Sequence, residues 1–426
     1  MLWVMKNKTA TNDALRWNFS MGLIHGIFYT AGEAFFNADT IIPIFLNYFT
    51  NSKTLIGLSS TLIGRLGGIA SVFPQLIVAN RMETKARKKP LLQFAITIRA
   101  LSWGMLALAT YLFNKSYPNL TIFFLFFTLV LHTVMGGIAV VPFYDIWGKS
   151  LPSNLRGRFF GHRQLWGGLL AIFSGLIAKM ILDNEMLYFP LNFVILFSLA
   201  FIFLSISYIA LGSVKEPVEE VYDRRLPFKN FLHKASNIIQ KNSNYRKFII
   251  VEITGGAGAM ALPFYILYLR EDLGMELGMV GILLSAQMFG SVISNILWAH
   301  LSDFVGNKRV IQISTFIGLF VPIVALISAF LKNNLIYVVL FVLIGFFVSG
   351  RTIGKDNYLL DISPARERPK FISLTGTLLF PVSIFPLLGG FIVQYISYQI
   401  LFFTTLIIIF TGFILSFGLN EPIRES

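Results

Sequence analysis

The chain has 426 residues, of which 55% are hydrophobic and only 13% are charged, whereas an ordinary soluble domain has roughly 25% charged residues. Its mean hydropathy is +0.70, and no soluble fold of this size keeps so much apolar surface away from water. The composition therefore predicts a membrane protein with many spans. Cysteine is absent and the five histidines stand singly, so we predict no disulfide, no metal site and no bound cofactor.

Apolar runs between charged breaks predict twelve membrane-spanning helices. The first run is over-long and carries polar residues, which indicates a tilted or kinked helix around Pro43. Met1–Trp17 has no apolar core, so we expect no cleavable signal peptide. The predicted helices are 18–48, 54–79, 90–113, 119–144, 159–182, 187–213, 247–269, 277–301, 309–331, 335–354, 370–395 and 398–419.

The net charge of +14 would indicate nucleic-acid binding in a soluble protein, but here the basic residues follow the loops. With a cytoplasmic N-terminus, 28 Lys and Arg residues fall in cytoplasmic segments and five at outer ends, while Arg65 and Arg99 lie inside spans. The positive-inside rule therefore predicts two cytoplasmic termini and accounts for the charge without a nucleic-acid partner. We expect a monomeric, multi-pass protein of the plasma (inner) membrane.

The longest loop, 214–246, falls midway along the chain. Apolar residues such as Phe228 and Phe231 repeat there at helical spacing, opposite lysines such as Lys229 and Lys234. This pattern predicts either a short helix on the cytoplasmic leaflet or a linker helix packed on the membrane bundle.

Two pairs of segments on either side of this loop align at the same ordinal positions, which indicates an internal duplication. They are 62–81 with 284–304, and 151–160 with 362–372. The alignment predicts two similar six-helix halves. The expected parts are an N-terminal half 1–213, a linker 214–246 and a C-terminal half 247–426.

The segment AHLSDFVGNKRV at 299–310 is similar to the signature loop of the major facilitator superfamily. The resemblance extends over the whole chain and implies an all-α polytopic membrane protein, with twelve transmembrane helices in two pseudo-symmetric six-helix halves. It also implies transport by alternating access. The matching residues are Leu301, Asp303, Gly306, Lys308 and Arg309.

The first-half loops match this family less closely. The segment 79–90 keeps the basic run but has Asn80 where an aspartate is expected, whereas 145–158 resembles the family's acidic–Pro–Arg-Gly arrangement through Asp145 and Arg156. Span 4 lacks the Arg-x-x-x-Gly pattern of many proton-coupled members, and span 5 lacks the Gly-Pro element of drug antiporters. These departures argue against standard drug/proton antiport.

Asp303 is predicted to end span 8 at the cytoplasmic surface, where its carboxylate could face the amino end of span 11 near Pro369–Phe371. Lys308 or Arg309 could bind the same carboxylate. Such a latch would favour the outward-facing state; the alternative is a helix stop with ordinary positive-inside charges. The predicted gating residues are Asp303, Gly306, Lys308, Arg309, Asp145 and Arg156.

Charged residues inside spans are costly and mark candidate sites. Glu33 shares a predicted helical face with Thr30 and Asn37, so we predict that it lines a cavity and carries the coupling proton, with Arg65 as its partner. A static buried pair is the alternative. Further candidates are Asp39 for coupling or the cavity mouth, Arg99 as a brace of its half, and Glu252 in span 7.

Other polar residues inside spans are candidate cavity residues. The glycine- and alanine-rich segment 252–263 could unwind or simply allow close helix packing. His132 could bind substrate or titrate, or be an ordinary hydrogen-bonded histidine. One polar face of span 8 carries Gln287, Ser291 and Asn295.

The patterns leave two classes of function open and argue against a third. A secondary active transporter, symporter or antiporter, would move a small organic solute by rocker-switch alternating access, coupled to protons through Glu33; a facilitative uniporter or an exporter of lipophilic compounds is the alternative. A sensor or scaffold could keep the same fold without transport. We predict no enzyme, because the sequence offers no reactive constellation or nucleotide loop. The expected partners are a small-molecule substrate, a proton where transport is coupled, and the lipid bilayer.

Overall fold

The computed structural model describes residues 2–64, 69–82, 85–217, 242–364 and 368–420, and every regular element in this part of the chain is a helix. The predicted linker helix and Arg65 lie outside the described residues. From the N-terminus to the midpoint, the helices are α1 (Leu2–Ala34), α2 (Ile41–Asn47), α3 (Lys53–Ile63), α4 (Ile69–Met82), α5 (Lys89–Phe113), α6 (Pro118–Ser150), α7 (Ser153–Leu182) and α8 (Leu191–Gly212).

The second half of the chain continues with helices at the expected positions. They are α9 (Ser243–Gly255), a 3₁₀ helix (Gly256–Met260), α10 (Leu262–Glu271), α11 (Met279–Phe304), α12 (Asn307–Leu331), α13 (Asn334–Ile362), α14 (Arg368–Leu378), α15 (Phe380–Tyr395) and α16 (Tyr398–Ser416). Several begin at a side-chain cap, as where Ser52 accepts from the Leu55 amide and Ser397 from the Ile400 amide.

Ten helices of the described part are long and apolar enough to cross a membrane. The all-α, multi-pass membrane fold is therefore confirmed, whereas the count of twelve spans remains a prediction. The first predicted span is interrupted, because α1 ends at Ala34 and α2 begins only at Ile41. The chain thus leaves the helix before Pro43, the residue around which a kink was predicted, and Pro43 itself lies in the first turn of α2.

The glycine-rich segment of span 7 combines both predicted alternatives. The α-helix gives way to a 3₁₀ helix over Gly256–Met260, which is the local change of winding that the composition allows. The same glycines also pack closely, since a Cβ atom on Gly258 would lie 2.4 Å from the Phe347 ring. Small side chains here serve helix contact as well as backbone irregularity.

Contacts divide the chain into two compact units, Met1–Asn37 with Arg65–Arg225 and Ala38–Gly64 with Leu226–Ser426. Within the second unit, the α2–α3 hairpin packs against α15 through glycines. A Cβ atom on Gly57 would lie 2.3 Å from the Pro386 carbonyl oxygen, and one on Gly390 would lie 2.4 Å from the Lys53 carbonyl oxygen. Lys53 also forms an ion pair with Glu271, so this hairpin is attached by backbone contact and by charge.

Candidate transport site

Arg99 is the centre of a polar and aromatic cluster in the first unit. Its Nη2 atom donates to the Tyr29 hydroxyl at 3.3 Å and lies 2.8 Å from His132 Nε2. The guanidinium carbon also lies 5.6 Å from the centre of the Tyr29 ring and 5.8 Å from that of Tyr208, within the range of cation–π attraction. Arg99 of α5, which was predicted to brace its half, therefore contacts α1, α6 and α8.

Glu33 belongs to the same cluster, through a hydrogen bond with Tyr29 and electrostatic interactions with Arg99 and Tyr208. Thr30, one turn away, donates to the Gly26 carbonyl at 3.0 Å. The polar stripe predicted from helical spacing does not continue to Asn37, because α1 ends at Ala34. The described partner of Glu33 is thus Arg99, while the predicted partner, Arg65, lies outside the described residues.

The surroundings of His132 favour a static role over a titrating one. Its two ring nitrogens face Arg99 Nη2 at 2.8 Å and Trp103 Nε1 at 3.0 Å. Both neighbours can only donate hydrogen bonds, so a protonated imidazolium would bring N–H groups against N–H groups on both sides. His132 is also only 4% exposed. A neutral imidazole has one acceptor nitrogen and can accept from one of these two donors, whereas the protonated ring can accept from neither. The geometry therefore favours a neutral histidine.

A second buried charge cluster lies in the second unit. Glu252 of α9 accepts from Arg351 of α13 at 2.7 Å, and both side chains are less than 10% exposed. Arg351 also donates to the Thr315 hydroxyl at 3.1 Å. Gly255 provides the space, because a Cβ atom there would lie 2.6 Å from the guanidinium carbon.

Sequence reasoning missed Arg351, because it counted this residue among the cytoplasmic basic residues although it falls near the end of the predicted span 335–354. The structure continues that helix to Ile362, so Arg351 lies within it. One signal could have identified it: Glu252 needed a cationic partner inside the membrane, and Arg351 is a basic residue next to an apolar run.

The three polar residues of span 8 make contacts within the second unit. Gln287 is fully buried, with its Nε2 atom 3.5 Å from the Asp39 carboxylate. Asn295 accepts from the Ser349 hydroxyl, and the Ser291 amide lies where α11 closely approaches Gly345 of α13. Asp39 and Gln287 therefore meet, whereas Ser291 and Asn295 lie at the α11–α13 contact.

Two predicted gating residues of the first unit are engaged near the end of α6. Asp145 forms ion pairs with Lys88 and Lys149. Arg156 donates to the backbone carbonyls of Leu151 and Gly148, which compensates the carbonyls left open at a helix C-terminus.

Glu216, which sequence reasoning did not select, completes this end of the first unit. Its two carboxylate oxygens accept from the backbone amides of Lys88 and Lys89, at 2.8 and 3.0 Å. The negative charge therefore lies at the N-terminus of α5, where the helix dipole favours it.

The signature loop of the second unit forms a tight turn between α11 and α12. Gly306 has a φ of 119°, a left-handed conformation that favours glycine. Asp303 is exposed at the end of α11, and Arg309 donates to Gln312 at 3.2 Å. The side chains of 365–370, which include the predicted acceptor region of the latch, lie outside the described residues.

Next to this loop, a hydrogen-bonded cluster links α12 to α13. Asn307 donates to Asp361 at 2.7 Å, Ser302 donates to Asn307 at 2.6 Å, and Asn357 donates to Ser302 at 3.2 Å. Asp361 was absent from the predicted site because it follows a span end in the sequence. Among the described residues, no group of three or more His, Asp or Glu side chains could hold a metal ion.

Comparison with known proteins is consistent with this architecture. Residues 248–426 match the family model described as Major Facilitator Superfamily. A mutant of the nucleoside transporter NupG is 13% identical, with a TM-score of 0.71 over 96% of this chain and 100% of that one. A bacterial homologue of the iron transporter ferroportin, in an inward-facing state, is 10% identical with a TM-score of 0.69 over 95% and 98%.

A POT family transporter in complex with 5-aminolevulinic acid is 12% identical, with a TM-score of 0.68 over 94% of this chain and 97% of that one. No curated protein sequence matches the chain. The protein therefore has the fold of a multi-pass membrane transporter. The predicted resemblance to the major facilitator superfamily is confirmed by the C-terminal match and by the shared fold.

Proposed function

We propose that this protein is a secondary active transporter that moves a small organic solute by rocker-switch alternating access, coupled to protons through Glu33. The observation that carries the proposal is the cluster of Glu33, Tyr29 and Arg99 inside the first unit. Among solved proteins of the same fold, one is named as a nucleoside transporter, one as a bacterial homologue of the iron transporter ferroportin, and one is a POT family transporter in complex with 5-aminolevulinic acid.

A carboxylate inside a membrane protein is stable when it is paired with a cation or protonated. In the described arrangement Glu33 is hydrogen-bonded to Tyr29 and interacts electrostatically with Arg99. A conformational change that separates Glu33 from Arg99 favours proton uptake, so the two states of the carboxylate become linked to the two states of the transporter.

Glu33→Gln mimics the protonated carboxyl and should abolish accumulation driven by a pH gradient while preserving exchange. Proteoliposomes with a pH gradient are offered labelled uridine, 5-aminolevulinic acid and benzoate, and uptake and counterflow are measured for each. The matched control is Glu185→Gln, an exposed acid between α7 and α8. Accumulation by Glu33→Gln equal to that of the wild type would exclude Glu33 as the coupling site.

The alternatives give different results in the same assay. A facilitative uniporter or an exporter of lipophilic compounds equilibrates solute without responding to Glu33→Gln. A non-transporting sensor or scaffold shows neither uptake nor counterflow for any probe. A static Glu33–Arg99 pair lowers the melting temperature of Glu33→Gln, because Arg99 loses its acidic neighbour, and leaves the pH dependence of transport unchanged.

The proposal includes two halves, 1–213 and 247–426, with cytoplasmic termini in the plasma (inner) membrane and a latch at Asp303.

Replacing Asp303 with Asn should shift the population towards the inward-facing state. A latch of about 1–2 kcal/mol changes the ratio of states roughly five- to thirty-fold. Spin-label distances between the halves measure this ratio, and Asp183→Asn, an exposed acid, is the control. If the distances in Asp303→Asn are unchanged, Asp303 is not part of a latch and only ends its helix.

A further inference from the structure

Arg163 lies inside a box of aromatic rings, although the positive-inside rule counted it among the cytoplasmic basic residues. It is on α7, ten residues after Ser153. Its guanidinium carbon lies 5.3 Å from the centre of the Phe143 ring, 5.6 Å from that of Phe159 and 5.6 Å from that of Phe160. These distances are within cation–π range.

Two glycines of α1 make the space for this box. A Cβ atom on Gly26 would lie 2.3 Å from Arg163 Nε, and one on Gly22 would lie 2.4 Å from both Phe159 and Trp147. A side chain at either position would displace the box, so the close approach of α1 depends on these glycines.

Several buried donors around this box have no hydrogen-bond partner in the described part of the chain. They include Nε of Arg163, Nε of Arg99, Nε1 of Trp147 and the Tyr208 hydroxyl. Trp147 is 2% exposed and Tyr208 5% exposed. Unsatisfied buried donors cost free energy, and an acceptor bound among them would recover it.

The donors and rings form one continuous neighbourhood. The His25 ring lies 5.7 Å from Phe143 and 6.1 Å from Tyr208, and Phe143 lies 6.1 Å from Trp147. Arg99 in turn lies over the Tyr208 ring. The Arg163 box and the Arg99 cluster are therefore adjacent parts of one site, bounded by α1, α5, α6, α7 and α8.

The charges in this neighbourhood are unbalanced. Among the described residues, Arg163 forms no ion pair with a carboxylate, and the acid that interacts with Arg99 is Glu33. Asp145 of α6 is already paired with two lysines. The other groups that face the site are not carboxylates. They are the imidazoles of His25 and His132 and the hydroxyls of Tyr29, Tyr144 and Tyr208.

We propose that this site binds a small organic anion with a planar apolar body, its oxyanion held by Arg163 and the Trp147 indole N–H and its body against Phe143 and Phe160, the rings of the box that are not fully buried. This inference rests on the proposed transport function and specifies its substrate class. An anion supplies the missing negative charge and the missing acceptors together. The aromatic walls distinguish such a ligand from a bare inorganic anion, which gains nothing from apolar surface.

Benzoate binding to the purified full chain tests the proposal. The protein is placed in phosphatidylcholine nanodiscs, and binding is followed by the quenching of tryptophan fluorescence and by the melting temperature. Benzoate should bind at least about ten-fold more tightly than benzamide, its neutral counterpart, or acetate, which lacks the ring. Arg163→Gln should weaken benzoate binding at least about ten-fold, whereas Arg158→Gln, an exposed arginine of the same helix, should leave it unchanged.

Two further variants keep the test informative if Arg163→Gln does not fold. Arg163→Lys retains a cation and should keep partial binding, and Trp147→Phe removes one donor but keeps the ring and should weaken it. Equal binding of benzoate and benzamide, or full benzoate binding in both variants, would overturn the proposal. Stabilisation through Arg163 by phosphatidylglycerol in the nanodisc, without benzoate binding, would overturn it in favour of a lipid headgroup.

The benzoate-binding assay and the transport assay test separate proposals, so either the anion site or the proposed function can be wrong without the other. Benzoate binding that depends on Arg163, without uptake driven by a pH gradient, would support the anion site and count against coupled transport. Coupled uptake of uridine without benzoate binding would support transport and overturn the anion site.

Discussion

Replacing Arg351 with Met should strongly lower the melting temperature of the purified protein. The substitution leaves the Glu252 carboxylate buried without its cation, and one Glu252 oxygen already has no hydrogen-bond partner among the described residues. Breaking a buried ion pair by removing one partner costs about 3–5 kcal/mol. The loss is measured by thermal unfolding in detergent and by the yield of monodisperse protein on gel filtration.

Matched variants separate this effect from a general loss of charge. Lys355→Met removes a more exposed cation one turn further along α13 and should change the melting temperature little. The double variant Glu252→Leu with Arg351→Met removes both charges and should recover most of the stability, because two apolar side chains replace a buried pair at little cost. If Arg351→Met melts like the wild type, the pair is not a structural element of the second unit.

Replacing Gly345 with Val should prevent the native packing of α11 against α13. A Cβ atom on Gly345 would lie 2.3 Å from the Gln287 carbonyl oxygen, and one on Gly290 would lie 2.3 Å from the Val342 carbonyl oxygen. The backbones therefore approach each other through two glycines, as small residues permit in membrane helices. Overpacking a core typically costs about 1–3 kcal/mol, and we expect the upper end here because the clash is with the backbone.

Gly376→Val is the matched control, because a Cβ atom on Gly376 of α14 would meet no heavy atom within 4 Å. Thermal unfolding and gel filtration of both variants measure the difference. A melting temperature of Gly345→Val equal to that of Gly376→Val would show that α11 and α13 can separate without loss of stability, contrary to this prediction.

The sequence alone was sufficient for most membrane helices. The predicted spans 90–113 and 309–331 correspond to Lys89–Phe113 and Asn307–Leu331, because an apolar run between charged breaks is a local property with one stable outcome in a bilayer. The signature loop was also predictable, since Gly306 adopts a conformation that its residue type favours. Glu33 was selected because a charge inside a span requires compensation, and it lies beside Tyr29 and Arg99, whereas its role in coupling remains a prediction.

Only the tertiary structure decided which residues compensate each other. Glu252 and Arg351 are 99 residues apart in the chain, and helical spacing carries no information about contacts between helices so distant. Charge itself was misleading at Arg163 and Arg351, which were counted among the cytoplasmic basic residues although they fall inside the predicted spans 159–182 and 335–354. In the structure, aromatic rings surround one and a carboxylate pairs with the other. These partners lower the cost of the charges and allow the helices to continue through them.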